Sequence, residues 1–451
     1  MEFREFRDKC FIAAARSGFD CFELYYAKSS NFSVRVRNGE IAEYKNSSQT
    51  GLSFRGIYNG KMGYSFTERL DDDLMVALLS KAAENARIID SEDEEKLFRE
   101  KAAYPEADLY NPALDEISGA DKTQMALSME KAALEADSRV KAADYCTVLS
   151  GEGEVFISNS YGLDLSHKSN LFRAYLQAKV EENGVVKTWF DFWYGRDLSA
   201  FSPKKLAERT VRTALSYLPA KTIPSGEMTV LFSPLAAADL FNAFVGVFFA
   251  ERVQKGFSML KDKVGAAIAS PVVTIRDDGI CERSVFGSAF DSEGVPCRGK
   301  IIIDGGVLRT LLYNLKSADK DKTRSTGNGF KHNFRAPVET ACTNFYIEPS
   351  DIPPRQMISG VMYGVKITDL AGLHSGANSI TGDFSLSASG WLIENGQITR
   401  PVEQIVVSGN FYDLLHNIRS VGNDLRFGMP GSLGTIGMPS ILADKLNIAG
   451  E

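Results

Sequence analysis

Apolar residues recur at helical spacing from the start of the chain. Phe3, Phe6, Cys10, Phe11 and Ala14 share one face before Gly18, which predicts a short first helix. Alternation with a period of two follows, as in Phe32-Ser-Val-Arg-Val-Arg37, and it runs into Asn38-Gly39; a second Asn-Gly lies at Asn59-Gly60. These pairs tolerate the positive φ of a tight hairpin, so the segment reads as a meander of about four strands. Asp71-Asp-Asp73 suits a helix N-terminus, and Leu74, Ala77, Leu78, Ala82 and Ile88 continue it. The charge run from Asp90 to Glu95, then Pro105 and Pro112, reads as an exposed connector.

The plan then repeats. Asp121-x-x-Gln124 is positioned to cap a helix carrying Met125, Met129, Ala132 and Ala136. Strands are expected from Tyr145 to Tyr194, with a hairpin at Asn183-Gly184, and Ser202-Pro203 opens a helix with Leu206, Val211 and Leu218. Residues 1–220 therefore form an α+β domain with a possible internal duplication, 1–90 and 120–220. Residues 221–451 read as a mostly β domain with one buried helix, about 234–252, opened by Ser233-Pro234, and a short helix at Tyr412–Ile418. Asp278-Gly279, Asp304-Gly305 and Asn395-Gly396 are its hairpin signals.

Composition narrows the class. Of 451 residues, 44% are hydrophobic and 24% charged, the balance of a packed globular protein. The N-terminus opens on charges instead of an apolar signal region, and the apolar stretch Leu235–Ala250 is about four residues short of a membrane span and contains Asp239 and Asn242. Neither secretion nor a membrane location is expected. Six cysteines without CxxC pairs suggest a reducing cytoplasm. The net charge of −7, with Lys and Arg dispersed, argues against direct nucleic-acid binding.

Familiar chemistry is scarce. The four histidines, His167, His332, His374 and His416, lie too far apart to chelate from one helix or hairpin, and neither HExxH nor GxSxG occurs. Gly294-Val-Pro-Cys-Arg-Gly-Lys300 imitates a phosphate loop, but Ile301 stands where Ser or Thr should bind magnesium, and a strand is expected where a helix should follow. His374 in Gly372-Leu-His-Ser-Gly376 lies near Asp383 in sequence, and a loop histidine of this kind serves structure as readily as catalysis.

Five phrases are more particular: Asp291-Ser-Glu-Gly-Val-Pro296, Ser325-Thr-Gly-Asn-Gly329, Cys342-Thr-Asn344, Thr381-Gly-Asp-Phe384 and Ile393-Glu-Asn-Gly-Gln-Ile-Thr-Arg-Pro-Val402. Together they resemble the TldD/PmbA family, often labelled modulators of DNA gyrase. The resemblance is strong over residues 225–450 and looser over 20–90. The TldD branch of that family holds a metal with an HExxxH helix and a cysteine near the C-terminus, and cleaves peptides.

Here Asn242, Ala243 and Val247 fall where His, Glu and His would stand, and Gly428–Gly437 lacks a cysteine. The closing segment, Pro439–Gly450, resembles the PmbA branch, also called TldE. The resemblance thus implies a chain with no catalytic residue and no metal of its own. It would pair as a heterodimer with a TldD-type zinc subunit and help to hold unfolded peptide substrates. Asn328, Gly329, Thr343, Asn344, His374, Ser375 and Asp383 are candidates for a substrate-channel lining. The alternatives are a homodimeric hydrolase using His374, Asp383 or Cys297, and a non-proteolytic protein binding gyrase.

Overall fold

The computed structural model describes residues 2–89, 95–431 and 433–451; most of the predicted charged connector, residues 90–94, lies outside them. The chain divides into two compact units. The first comprises residues up to 99, 108–218 and 333–336; the second comprises 100–107, 219–332 and 337–451.

In the first unit the order is α1 (Phe3–Arg16), β1 (Phe19–Arg37), β2 (Glu40–Tyr58), β3 (Lys61–Thr67) and α2 (Asp72–Ile88). The same order returns as α3 (Gly119–Glu135), β4 (Val140–Asn159), β5 (Asp164–Glu182), β6 (Val185–Gly195) and α4 (Pro203–Ser216). The six strands form one sheet in the order β3-β2-β1-β4-β5-β6, with β1 and β4 antiparallel at its centre. The first repeat contains three strands, not four, because β1 and β2 pair without a break from Cys21 to Arg37 apart from one register shift near Arg35.

Asn38-Gly39, Asn59-Gly60 and Asn183-Gly184 all have positive φ at both residues, which matches the twist of a two-residue hairpin. The first of these turns is also held from outside. The buried Glu130 of α3 accepts the amides of Asn38 and Gly39 at 2.7 and 2.8 Å. The cap of α3 differs from expectation. Ser118 is the N-cap and Asp121 sits at N3 in a reciprocal capping box, so the helix starts before the predicted Asp121 cap.

Each helix pair covers one half of the long strands. Phe22, Leu24, Leu52 and Phe54 pack with Phe6, Leu78 and Leu79 of α1 and α2. Val34, Val36, Val148 and Phe172 pack with Met129, Ala133 and Val211 of α3 and α4. Between the two cores β1 reads Lys28-Ser-Ser-Asn31, and β4 opposite it reads Gly151-Glu-Gly-Glu154.

The second unit contains β7 (Gly226–Phe232), α5 (Pro234–Phe244), a 3₁₀ turn (Val245–Phe248), α6 (Ala250–Gln254), β8 (Ile275–Asp278), β9 (Lys300–Asp304), β10 (Val307–Leu308) and α7 (Leu315–Lys320). It continues with β11 (Gly329–Phe330), β12 (Glu339–Thr340), β13 (Asn344–Ile347), α8 (Pro354–Ser359), β14 (Tyr363–Ala371), α9 (Leu373–Gly376), β15 (Asp383–Glu394) and β16 (Gln397–Asn410). It ends with α10 (Phe411–Asn417), β17 (Ile418–Val421), β18 (Arg426–Phe427), β19 (Thr435–Met438) and β20 (Ile441–Ala449).

One sheet runs β16-β15-β14-β7-β20-β17, and β20 also pairs with β16, which closes it into a barrel. A second runs β10-β9-β8-β13-β19-β18. The closing pair is short: β16 meets β20 only at Val406, Val407 and Ser408, and the outer strands β17 of this sheet and β10 and β18 of the second are four, two and two residues long.

The predicted helix over 234–252 is broken. Its α-helical part ends at Phe244, and the 3₁₀ turn Val245–Phe248 separates it from α6. Asp278-Gly279 forms no hairpin, because β8 waits for β9, which begins only at Lys300. At Gly279 a Cβ would lie 1.9 Å from the Cys297 carbonyl oxygen, so this glycine serves close packing. Asn395-Gly396 does form a tight hairpin, and the β9–β10 turn uses Gly305-Gly306, both at positive φ. Among the described residues no helix is long and apolar enough to cross a membrane.

Candidate functional site

The helix α5 carries the positions singled out by the resemblance. Pro234 fixes φ at its first turn, and Ala236, Ala237, Leu240, Phe241 and Phe244 turn its apolar face into the core. Leu235, Asp239, Asn242 and Ala243 form the opposite, more open face. At Gly431 a Cβ would lie 3.9 Å from the Asn242 Oδ1, which sets the C-terminal glycine-rich segment against this face. The short α9, opened by Gly372 at a φ of +83°, packs against the same helix.

The donor set here does not suit a metal. Asn242 is exposed and Ala243 offers no lone pair, while Val247 lies beyond the break in the helix, fully buried in the core. Among the described residues no three His, Cys, Asp or Glu side chains are grouped to hold an ion.

Two carboxylates mark this region instead. Asp239 on α5 keeps an open surface, yet the protein crowding its carboxyl and the charge of Asp369 on β14 push its pKa up to about 6. Partial burial raises Asp369 as well. A carboxyl raised in the folded state is penalised once it ionises, so its contribution falls as the pH climbs from about 4 to 6. Water still reaches Asp239, and screening makes the effect smaller than in a sealed site. Asp239→Asn should therefore raise the melting temperature at pH 8 and leave it nearly unchanged near pH 4. A difference between variant and parent that ignores pH would refute the assignment.

The other candidates fall into two groups. His374, Ser375 and Asp383 are exposed. The Asp383 carboxylate is held by the Thr381 hydroxyl at 2.8 Å and by Asn410 at 2.9 Å, which keep its pKa below the usual range, and His374 makes no hydrogen bond or ion pair among the described residues. Asn328, Gly329, Thr343 and Asn344 are buried.

Asn328 and Thr343 belong to a polar knot, Gly329 is held by Asp291, and Asn344 donates to the carbonyls of Asp278 and Phe286 at 2.9 and 3.1 Å. Lys300 stands opposite Asp277 in the β8–β9 register, and its Nζ lies 2.9 Å from both the Asp277 carboxylate and the Asn328 Oδ1. Asn328 donates to Asp277 at 2.8 Å, and the amide and hydroxyl of Thr343 donate to the other Asp277 oxygen at 2.7 and 3.0 Å. Asp291 accepts the amides of Glu293, Val295 and Gly329. Burial first, then Glu293, pushes its pKa well up.

Cys297 and Cys342 are buried as well, their thiols donating to the carbonyls of Gly327 and Leu433, and burial raises both pKa values far from a reactive thiolate. Three of the five phrases that carry the resemblance, Asp291–Pro296, Ser325–Gly329 and Cys342–Asn344, are thus cross-linked, through Asp291 and Asp277. The sequence reading missed Asp277 and met Lys300 only as the end of the segment that imitates a phosphate loop; the two sit in neighbouring strands and are linked only by register.

The fold is a unit with a repeated helix and strand order and a closed β-barrel unit that carries an apolar-faced helix. Comparison with known proteins identifies this arrangement. The stretches 22–87, 112–218 and 225–450 match the PmbA/TldA metallopeptidase domain 1, central domain and C-terminal domain.

The chain belongs to the PmbA/TldD family. It is 28% identical to metalloprotease PmbA of Escherichia coli O157:H7, over 98% of this chain and 94% of that protein. A Thermotoga maritima crystal structure, of a candidate modulator of a DNA gyrase, matches with a TM-score of 0.89 and 31% identity, over 99% of this chain and 100% of that one. The crystal structure of TldE from Thermococcus kodakarensis also matches with a TM-score of 0.89, at 25% identity and the same coverage.

Proposed function

We propose that this chain is the subunit of a TldD-type metallopeptidase complex that supplies shape and peptide contacts while its partner supplies the zinc and the catalytic groups. The observation that carries this reading is α5. Its apolar face is complete and fully packed, whereas Asn242, Ala243 and Val247 provide no metal ligand, no general base and no shared helical face. The likeness to a TldE structure supports the same reading.

Within it, His374, Ser375 and Asp383 are the candidates for touching peptide, being exposed on α9 and at the start of β15 beside α5. Asn328, Gly329, Thr343 and Asn344 act one layer back, holding the scaffold in place. Side chains on these loops would contact the substrate. Cytoplasmic residence and a heterodimer belong to the same proposal.

Cleavage of an unstructured peptide tests it, using this chain alone, a TldD-type metallopeptidase alone and their mixture, each with and without chelator. Chelator-sensitive cleavage that needs the metallopeptidase and rises at least about tenfold when this chain is added is the expected result. Cleavage by this chain alone would overturn the reading and return attention to His374.

A further inference from the structure

The first unit contains a recess of about 390 Å³ in the polar middle of its sheet, lined by β1, β2, β4 and β5 and by the start of α3. One wall is Lys122 of α3, a lysine only 8% exposed. Lysine is among the residues least often buried unless paired. Here Nζ lies 4.9 Å from the centroid of Phe32, another lining residue, and makes no hydrogen bond or ion pair among the described residues. Burial lowers its pKa, and Asp115 acts in the opposite direction.

The same end of the recess holds Gly119, the first residue of α3, a 17-residue helix. The capping box uses the amides of Ser118 and Asp121, and those of Gly119 and Ala120 have no acceptor among the described residues. A buried ammonium and free first-turn amides together present positive potential and donors to one place. The other end carries two carboxylates and one cation. Asp115 and Glu152 both form ion pairs with Lys168, at 3.8 and 3.5 Å, and Asp115 also accepts from the Tyr110 hydroxyl and from Asn170, the latter at 3.3 Å, which leaves an excess of negative charge there. The recess is thus polarised, with donors at one end and acceptors at the other.

We infer that this recess binds an α-amino acid unit by its carboxylate, the carboxylate resting on Lys122 and the first turn of α3 and the nitrogen facing Asp115 and Glu152. Such a unit can come as a free amino acid or as the C-terminal residue of a peptide. The inference stands on the first unit alone and does not depend on the function proposed above.

Calorimetric titration of the full chain with alanine, N-acetylalanine and alaninamide tests it. Saturable binding of one or both carboxylates, with none of the amide, is the expected result; tighter binding of alanine identifies a free amino acid, and tighter binding of N-acetylalanine a peptide end. Lys122→Met fills similar space without a charge, so it should weaken carboxylate binding about tenfold or more without lowering the melting temperature. The inference is overturned if neither carboxylate binds the parent chain, if alaninamide binds equally, or if the variant binds unchanged.

Discussion

Asp277→Ala is expected to destabilise the chain by about 3–5 kcal/mol, as measured by denaturant unfolding, because it leaves a buried cation and several buried donors without their acceptor. Lys300 is 12% exposed at its side chain and Asp277 fully buried. Removal of the carboxylate strands the ammonium, the Asn328 amide hydrogen and the Thr343 amide together. Lys300→Met should cost less, about 1–3 kcal/mol, since Asp277 then still accepts from Asn328 and Thr343. The two effects should fall well short of additive in the double variant, because the second substitution removes a charge the first has already left unpaired. A loss below about 1 kcal/mol for Asp277→Ala would mean that water or a neighbour takes over, and the knot would not be the anchor described here.

The second large effect concerns α5 itself. Phe244, at the end of the helix, stacks on Phe411 with ring centroids 4.6 Å apart and an interplanar angle of 10°, and Phe241 meets Phe411 edge-on at 5.1 Å. All three rings are essentially inaccessible. Phe411→Ala should therefore cost about 3–5 kcal/mol through lost burial and the cavity left behind. Its importance is functional as well as energetic. If α5 persists in this chain for packing, loosening its anchor should lower stability and also weaken stimulation of a TldD-type metallopeptidase. Substitution of the exposed His374 should spare stability. A nearly neutral Phe411→Ala would show that the core around the helix can collapse to fill the space, and the packing argument for α5 would lose its force.

Much of the local structure is legible in the chain. The Asn-Gly pairs at 38, 59, 183 and 395 all form the turns their chemistry predicts, because positive φ is a local property that Asn and Gly tolerate wherever they stand. Asp71 and Ser202 cap the helices they precede, each accepting a backbone amide. The duplicated element order of residues 1–220 was visible for the same reason, since each element declares its own period. Misreadings occurred where a longer range decided. Three strands replaced four because β1 and β2 are far longer than usual, and their extra length is stabilised by helices on two separate cores. The helix over 234–252 broke at Val245 because continuous apolarity cannot distinguish a helix from a buried 3₁₀ turn.

The sequence by itself determined the turns, most caps, the alternation of helices and strands, and the phrases that mark the family. Each depends on a residue and its near neighbours. Only the tertiary structure decided that Asn328, Thr343 and Asn344 are buried while His374 and Asp383 are exposed, and that Asp277 meets Lys300 across two strands. It alone placed Lys122 of α3 over Phe32 of β1 and facing a polar recess. Register, barrel closure and burial arise from pairings between distant segments, and a polar side chain on a strand looks the same in sequence whether water or another strand lies in front of it.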